Sequence, residues 1–187
     1  MPREASRDER ITAAALELLR SKGPKAVTME AVALRADLAK TTIYRRYQDR
    51  QELLAAALTS LVQPPAPPDT SSAESILEWA IEQSYSAVAD GIGVGGVAAL
   101  LTEEDSAFTK LIRSLLLLHR QALTNAIQER STASHIRRDL DVDTLLDCIV
   151  GAYLAERARL GTVRRGWADR LLAVLAPAVT RPRAAKR

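Results

Sequence analysis

The sequence predicts an all-α protein, and its composition, its periodicity and the placement of its prolines support this. The 187 residues are 47% hydrophobic but only 4% aromatic, and Ala, Leu, Ile and Val supply most of the apolar side chains. Apolar residues recur at helical spacing, and the alternating runs typical of strands are rare. A proline-rich stretch at 63–72 interrupts the pattern. We therefore expect one helical domain at 1–62 and a larger one at 73–180.

The first domain begins with a helix over residues 6–22, which Gly23 and Pro24 end. Its apolar stripe consists of Ile11, Ala14, Ala15, Leu18 and Leu19. A second, short helix runs from Thr28, whose hydroxyl is placed to cap it, to about Ala36. A tight turn at 37–38 leads from this helix into a third. A fourth helix, over about 50–61, has apolar residues on one side, so the helical stripes can close a small core.

The third helix, over about 39–47, presents a surface rich in cations and hydrogen-bond donors. Ile43 and Tyr47 lie four residues apart on its inward side. Its other side chains include no acid; they are Lys40, Thr41, Thr42, Tyr44, Arg45 and Arg46. Such a helix suits the major groove of DNA, because arginine and lysine bond guanine edges or phosphates, and hydroxyl groups bond phosphate oxygens or bases.

The stretch from Thr28 to Arg50 resembles the DNA-binding signature of the TetR family of bacterial transcriptional regulators. That signature is roughly T-h-x-x-I-A-x-x-A-G-V-S-x-G-T-h-Y-x-H-F-x-x-K-x-x-L. The match covers about the first third of the chain with unbroken spacing. The matching positions are Thr28, Val32, Ala33, Ala36, Thr42, Ile43, Tyr44, Tyr47, Arg50 and Leu53. The resemblance implies a three-helix helix-turn-helix DNA-binding domain followed by a helical domain for ligand binding and dimerisation.

Three positions depart from the family signature. Asp37 replaces the turn glycine, but aspartate tolerates left-handed backbone better than most residues. Ala39 replaces the serine that would cap the third helix, at a cost of about 1 kcal/mol unless Asp37 caps instead. Arg46 replaces a histidine and adds a permanent charge. These changes affect where the third helix begins, and therefore which of its residues reach bases.

The resemblance implies that eight residues contact DNA. Thr28, Tyr44 and Arg50 are expected to bind phosphates, which fix register. The candidates for base edges are Lys40, Thr41, Thr42, Arg45 and Arg46. Formal charge agrees, since residues 1–62 carry a net +3 and residues 63–180 a net −4. The tail at 181–187, with a net +4, is expected to be disordered and to add either non-specific DNA affinity or solubility.

The proline-rich stretch at 63–72 is expected to be a semi-rigid link. Helices are predicted over 73–89, 97–104, 108–130, 143–160 and 167–179. The segment from Leu111 to Leu118 is apolar nearly all round, which predicts burial among other helices. The segment Gly91–Gly96 satisfies G-x-G-x-x-G literally, but it follows a helix and no βαβ unit surrounds it. We expect a flexible loop lining a pocket there, rather than a nucleotide site.

Features of enzymes, metal sites and membrane proteins are not apparent in the sequence. Cys148 is the single cysteine, which rules out an intrachain disulfide and is compatible with a reducing cytoplasm. A pair between Cys148 and His119 is conceivable, but no catalytic motif flanks either residue, and no residues have metal-ligand spacing. We expect no enzyme activity, no cofactor and no metal. The N-terminus lacks a signal peptide, and runs such as Leu115–Leu118 are too short to span a bilayer.

The resemblance also implies a small-molecule cavity in the second domain. The candidate residues combine large apolar surfaces with a few polar tips, which suits a mostly apolar organic ligand. They are Trp79, Gln83, Tyr85, Phe108, Ile112, His119, Cys148 and Tyr153. The alternative for each residue is plain core packing.

The function implied by these features is that of a cytoplasmic, ligand-responsive DNA-binding regulator. The resemblance predicts a homodimer through the last two helices that represses from a palindromic operator, although those helices have stripes that would also fill one subunit's core. An activator or dual regulator is the first alternative. A small helical ligand-binding protein with a degenerate reader is the second, and Asp37 and Ala39 are its only support.

Overall fold

A computed structural model describes residues 6–59, 64–69, 72–130 and 136–180. These residues form α-helices, a 3₁₀ turn at Pro24–Ala26, a π-helical segment at Ala87–Ile92 and one isolated bridge between Ile136 and Thr180. The helices are α1 Arg7–Lys22, α2 Met29–Arg35, α3 Lys40–Arg46, α4 Arg50–Leu58, α5 Ala73–Ser86, α6 Gly93–Thr102, α7 Ser106–Arg130, α8 Val142–Leu160 and α9 Trp167–Val179. The predicted all-α class is confirmed. The predicted end of the fourth helix at Leu61 and the predicted tail at 181–187 lie outside the described residues.

The chain divides into two compact units that do not follow a single cut. Unit 1 comprises Met1–Gln63 and Ala87–Leu118, and unit 2 comprises Pro64–Ser86 and His119–Arg187. The first division between the units falls between Gln63 and Pro64. The chain returns to unit 1 at Ala87, where the π-helical segment begins, and leaves it after Leu118, within α7. The first half of α7 therefore belongs with α1 to α4, rather than with a contiguous second domain.

Unit 1 has one apolar core, to which the π-helical segment, α6 and α7 contribute as well as the predicted faces of α1 to α4. α1 packs against α4 and α6. The largest fully buried side chains are Ile11, Leu19, Ile43, Leu53, Leu54, Leu58, Ile92, Phe108 and Ile112. Ser6 and Glu9 form a capping box at the start of α1, and the Asp49 carboxylate accepts from the Glu52 amide at the start of α4. These caps fix where the helices begin, and the shared core fixes their mutual packing.

The glycine-rich segment is helical, so the predicted loop is wrong. Gly91 belongs to the π-helical segment, and Gly93 to Gly96 form the first turn of α6. A Cβ at Gly95 would lie 2.7 Å from the Leu19 carbonyl oxygen and 2.8 Å from the Gly23 nitrogen. A Cβ at Gly93, where φ is +64°, would lie 2.6 Å from the Arg20 Cα. The glycines therefore let α6 approach the end of α1 backbone to backbone.

The predicted all-round burial of α7 between Leu111 and Leu118 is also wrong. Phe108 and Ile112 are buried, but Leu117 is 68% exposed and Leu118 is 55% exposed. Only one side of this part of α7 packs into unit 1. The apolar composition of the segment therefore exceeds what this unit covers, and composition alone did not distinguish the two sides.

Unit 2 is built on α5, which packs against α8 and α9. Tyr85, Tyr153 and Trp167 form an aromatic cluster, with the Tyr85 and Tyr153 ring centroids 5.2 Å apart. Glu156 on α8 accepts hydrogen bonds from Arg164, at 3.0 Å from the backbone nitrogen, and from Arg170 at 3.0 Å. Hydrogen bonds from the Arg164 side chain and amide lower the pKa of Glu156 to about 2. This ionised group therefore braces the turn between α8 and α9.

The predicted stripes of the last two helices are only partly internal. Leu145, Leu146 and Ile149 on α8 are buried, whereas Val174 on α9 is 72% exposed. Separately, the helical run Ala73–Thr102 is long and apolar enough to cross a bilayer, although much of it is buried within the protein. Core helices of globular proteins also have these properties, so this run is weak evidence for a membrane span.

Candidate nucleic-acid interface

The turn between α2 and α3 depends on a left-handed aspartate. Asp37 has φ +54°, as the tolerance of aspartate for this region predicts. The Leu38 amide donates to the Ala33 carbonyl at 3.0 Å, which closes the end of α2. Arg10 adds a side-chain cap, because its Nη2 donates to the Ala36 carbonyl at 2.6 Å. The turn therefore forms without the glycine of the family signature.

The start of α3 has no side-chain cap. Ala39 is its N-cap residue and offers no side-chain acceptor, and Asp37 does not replace it. The alternative that Asp37 caps the helix is therefore wrong. α3 is held instead by its inward side chains, since Ile43 is fully buried and Tyr47 is 7% exposed. Tertiary packing, rather than local capping, fixes this seven-residue helix.

The outward side of α3 brings most of the predicted DNA contacts together. We call these residues the reader surface: Lys40, Thr41, Thr42, Tyr44, Arg45 and Arg46. All are exposed except Thr42, which is half-buried. Thr28 is exposed at the start of α2, where its Oγ1 accepts from the Ala31 amide at 3.1 Å. The hydroxyl proton of Thr28 remains available to a phosphate oxygen.

Two carboxylates contact the reader surface. Glu30 on α2 accepts a hydrogen bond from the Tyr44 hydroxyl at 3.2 Å, and its Oε1 lies 3.6 Å from Lys40 Nζ. Asp8 on α1 forms an ion pair with Arg46. A backbone hydrogen bond and the Tyr44 hydroxyl lower the pKa of Glu30, and the Glu30 contact raises the pKa of Tyr44. Sequence reasoning missed both acids, because each lies far along the chain from its partner.

A shallow cleft of about 360 Å³ lies beside the reader surface, and it identifies one further cation. Its lining consists of Arg7, Asp8, Ile11, Thr42, Arg45 and Arg46. Arg7 at the start of α1 is exposed and shares this cleft with Arg45. The only sequence signal for Arg7 was a basic residue at a helix start, which many surface helices have.

Arg50 does not belong to the reader surface, so its predicted phosphate contact is corrected. Its Nε donates to the Val27 carbonyl at 2.8 Å, and its Nη2 donates to the Pro24 carbonyl at 2.5 Å and to Asp105 at 2.7 Å. Asp105 also caps α7, because it accepts from the Phe108 amide at 3.0 Å. Burial raises the pKa of Asp105, but the Phe108 amide and Arg50 outweigh burial and lower it. Arg50 therefore joins the starts of α2, α4 and α7.

The residues predicted to bind a ligand fall in both units. Phe108 and Ile112 are buried in unit 1, where Phe108 lines a cleft of about 280 Å³. The other six belong to unit 2: Trp79, Gln83, Tyr85, His119, Cys148 and Tyr153. Trp79 Nε1 donates to the Pro65 carbonyl at 3.2 Å. Cys148 is exposed on α8, so its placement inside a cavity of one subunit is wrong. Within the described ranges, no three His, Cys, Asp or Glu residues are grouped to hold a metal.

Comparison with known proteins identifies the family. Residues 11–57, which include the whole helix-turn-helix, match the family model described as "Bacterial regulatory proteins, tetR family". The matched residues form a helix-turn-helix domain of the TetR type. This match, together with a relative described as an HTH-type transcriptional regulator, supports a DNA-binding transcriptional regulator.

One relative and two solved structures extend the similarity to most of the chain. The uncharacterized HTH-type transcriptional regulator YdeS of Bacillus subtilis (strain 168) is 27% identical over 159 residues, covering 80% of this chain and 77% of YdeS. The structure of the TetR regulator SCO0520 from Streptomyces coelicolor superposes with a TM-score of 0.62 at 23% identity, covering 96% of this chain and all of SCO0520. The structure of FadR from Bacillus subtilis, in complex with stearoyl-CoA, superposes with a TM-score of 0.64 at 17% identity, covering 89% of this chain and 96% of FadR. These two structures share the fold.

The contacts of Arg50 predict a loss of stability on substitution. Arg50→Ala removes charge-assisted hydrogen bonds to two carbonyl groups and to Asp105, and we expect the free energy of unfolding to fall by about 2 kcal/mol. Arg45→Ala, which removes an exposed arginine with no bonded partner among the described residues, should change it by less than about 0.5 kcal/mol. Urea denaturation at one protein concentration compares them.

A conservative replacement separates the two roles considered for Arg50. Lysine keeps the charge but lacks the planar fork, so Arg50→Lys should recover only part of the stability. If Arg50→Ala left the free energy of unfolding unchanged but weakened DNA binding, Arg50 would be a phosphate contact after all.

Proposed function

We propose that this chain is a ligand-responsive repressor that binds a palindromic operator as a homodimer in the bacterial cytoplasm. The observation that carries the proposal is the reader surface: a cationic, acid-free helix face that is exposed and rigidly seated on a buried core. In this mechanism two reader helices enter successive major grooves, and occupancy of the operator blocks transcription. An activator or dual regulator, the alternative, would use the same surface.

The roles of the reader residues follow from their positions on α3 and α2. Lys40, Arg45 and Arg46 carry donors suited to guanine edges, and Thr41 and Thr42 add hydroxyl groups. Tyr44 and Thr28 are assigned to phosphates, which set the register of the protein on the duplex. We add Arg7 to the phosphate contacts, because it shares the cleft beside the reader surface with Arg45. Arg50 supports the surface without joining it.

Dimerisation is supported by an exposed face of small and apolar residues on the last two helices. On α8 this face contains Thr144, Cys148, Gly151 and Ala155, and on α9 it contains Ala173, Val174, Pro177 and Ala178. A Cβ at Gly151 would meet nothing within 4 Å. Small side chains let two helices approach closely, and a contiguous apolar face on a monomer marks an interaction surface. We propose that two copies bury these faces against each other around a two-fold axis.

An apolar effector is supported by unit 2 and by a structural relative. The FadR structure contains stearoyl-CoA, a ligand with a long apolar chain. In unit 2, Ser84 is 3% exposed, and its hydroxyl has no hydrogen-bond partner among the described residues. A buried hydroxyl without a partner is costly, and a polar atom of a ligand would satisfy it. We propose that Trp79, Gln83, Tyr85, His119 and Tyr153 contribute to an effector site, without Cys148.

Selection of duplexes from a random DNA pool tests the proposed DNA recognition. We expect an inverted repeat to be recovered at moderate salt with competitor DNA. Arg45→Ala should weaken binding of the recovered sequence about ten- to hundredfold, and Tyr44→Ala about tenfold, because a base contact and a phosphate contact are lost. Arg138→Ala, which removes an exposed arginine in unit 2, is the matched control. Recovery of no sequence preference would reject the proposal.

Charge placed on the exposed face of α9 tests the proposed dimer. Val174→Asp should raise the dimer dissociation constant at least about tenfold, because two buried carboxylates would face each other across the axis. Leu101→Asp introduces the same charge at a position that is 76% exposed on α6, and it should leave the dimer intact. Sedimentation velocity over a concentration series measures both. An unchanged dimer of Val174→Asp would place the interface elsewhere.

Effector response is tested by measuring operator affinity with and without stearoyl-CoA, a free long-chain fatty acid and a steroid. We expect at least one of these probes to raise the thermal stability of the protein and to weaken operator binding. A ligand can only act to the extent that it binds the two arrangements of the dimer unequally. Probes that stabilise the protein and all leave operator affinity unchanged would contradict ligand responsiveness.

A further inference from the structure

Three donors of the reader surface, on Lys40, Tyr44 and Arg46, already have acceptors in the free protein. Glu30 holds the Tyr44 hydroxyl at 3.2 Å and lies 3.6 Å from Lys40 Nζ, and Asp8 holds Arg46. Neither acid needs these contacts to offset burial of its charge, since the Glu30 and Asp8 side chains are 50% and 47% exposed. The two acids come from α2 and α1, whereas all three donors come from α3.

These contacts have the chemistry of a DNA backbone contact. A carboxylate and a phosphate each present anionic oxygen atoms to ammonium, guanidinium and hydroxyl donors. The single hydroxyl proton of Tyr44 cannot remain directed at Glu30 while it bonds a phosphate or a base, and the Lys40 N–H that faces Glu30 cannot bond DNA until it turns away. The same argument applies to the Arg46 nitrogen that faces Asp8.

We propose that Glu30 and Asp8 are intramolecular substitutes for the acceptor atoms of DNA: they occupy three of the reader donors in the free protein and are displaced when DNA binds. The inference rests on the proposed DNA-binding role of the reader surface. It assigns these two acids a function in setting affinity, since the donors that face them become available to DNA only when these contacts break. The free protein is thereby partly self-inhibited.

Two measurable consequences follow from displacement. Breaking the contacts requires free energy before the donors can bind any duplex. It therefore lowers the affinity for operator and for unrelated DNA by the same factor. A displaced carboxylate also takes up a cation from solution, which offsets part of the counterion release from DNA. The salt dependence of binding is therefore shallower than the number of phosphate contacts alone would give.

The experiment compares wild type with Glu30→Gln and with Asp8→Asn, which keep the shape of each side chain and remove its charge. Binding is measured on the selected operator and on a scrambled duplex over a series of salt concentrations. Each variant should bind both duplexes about two- to fivefold more tightly per subunit, as expected for the loss of an exposed ion pair. The slope of log K against log salt should steepen by up to about one per subunit.

The matched control is Glu17→Gln. Glu17 pairs with Arg35 on α2, and both side chains are about half exposed, at 52% and 54%. The control removes the same charge from the same unit without freeing a reader donor. Its effects on DNA affinity and on the salt slope should therefore be smaller than those of Glu30→Gln and Asp8→Asn. Repeating Glu30→Gln in a Lys40→Ala, Tyr44→Phe background closes a double-mutant cycle, in which the gain should disappear.

The possible outcomes separate this inference from the proposed function. If operator binding weakened in Glu30→Gln while scrambled binding did not, Glu30 would keep its contacts in the complex and orient the donors, which would overturn the inference. Equal affinities and slopes for wild type and both variants would also overturn it, with the DNA-binding role intact. If neither wild type nor the variants bound any duplex, the proposed function and this inference would fail together.

Discussion

The burial of Ile43 and Tyr47 is the constraint on which the reader surface depends. A seven-residue helix with no side-chain cap has almost no stability of its own in water. It exists because these two side chains, one fully buried and one 7% exposed, enter the core that α1 and α4 help to build. The orientation of every donor on α3 is therefore set by packing on its opposite side. The donors of such a DNA-binding helix are therefore positioned only as accurately as the core side chains beneath them are packed.

The polar contacts of unit 1 act on the same helices from outside the core. Arg10 closes the end of α2 through the Ala36 carbonyl, and Arg50 links the 3₁₀ turn and the start of α4 to Asp105, which caps α7. These arginines satisfy carbonyl groups that helix ends and turns leave without partners. Two basic residues of a basic domain are thus structural. The count of positive charges in such a domain therefore overstates the number available to a polyanion.

The sequence predicted the helices well because their signals are local. Stripes, caps and glycine stops placed α1, α8 and α9 within a residue or two of where they lie. Predictions failed where the answer depended on a partner distant in sequence. Arg50 was assigned by its place in the signature, but its carbonyl and carboxylate partners lie up to 55 residues away. Likewise, nothing local shows that Glu30 reaches Tyr44, that Leu117 is uncovered, or that the glycines of α6 face the backbone of α1.

That last contact has a consequence for how movement spreads within unit 1. Most helix pairs touch through side chains, which can change rotamer and absorb a displacement of a few tenths of an ångström. At Gly93 and Gly95 no such intermediary exists, since an added Cβ would lie within 3.0 Å of backbone atoms of Leu19, Arg20 or Gly23. A shift in the first turn of α6 must therefore be followed by the end of α1. The coupling between these two segments therefore comes from the lack of side chains at the glycines, rather than from additional bonds.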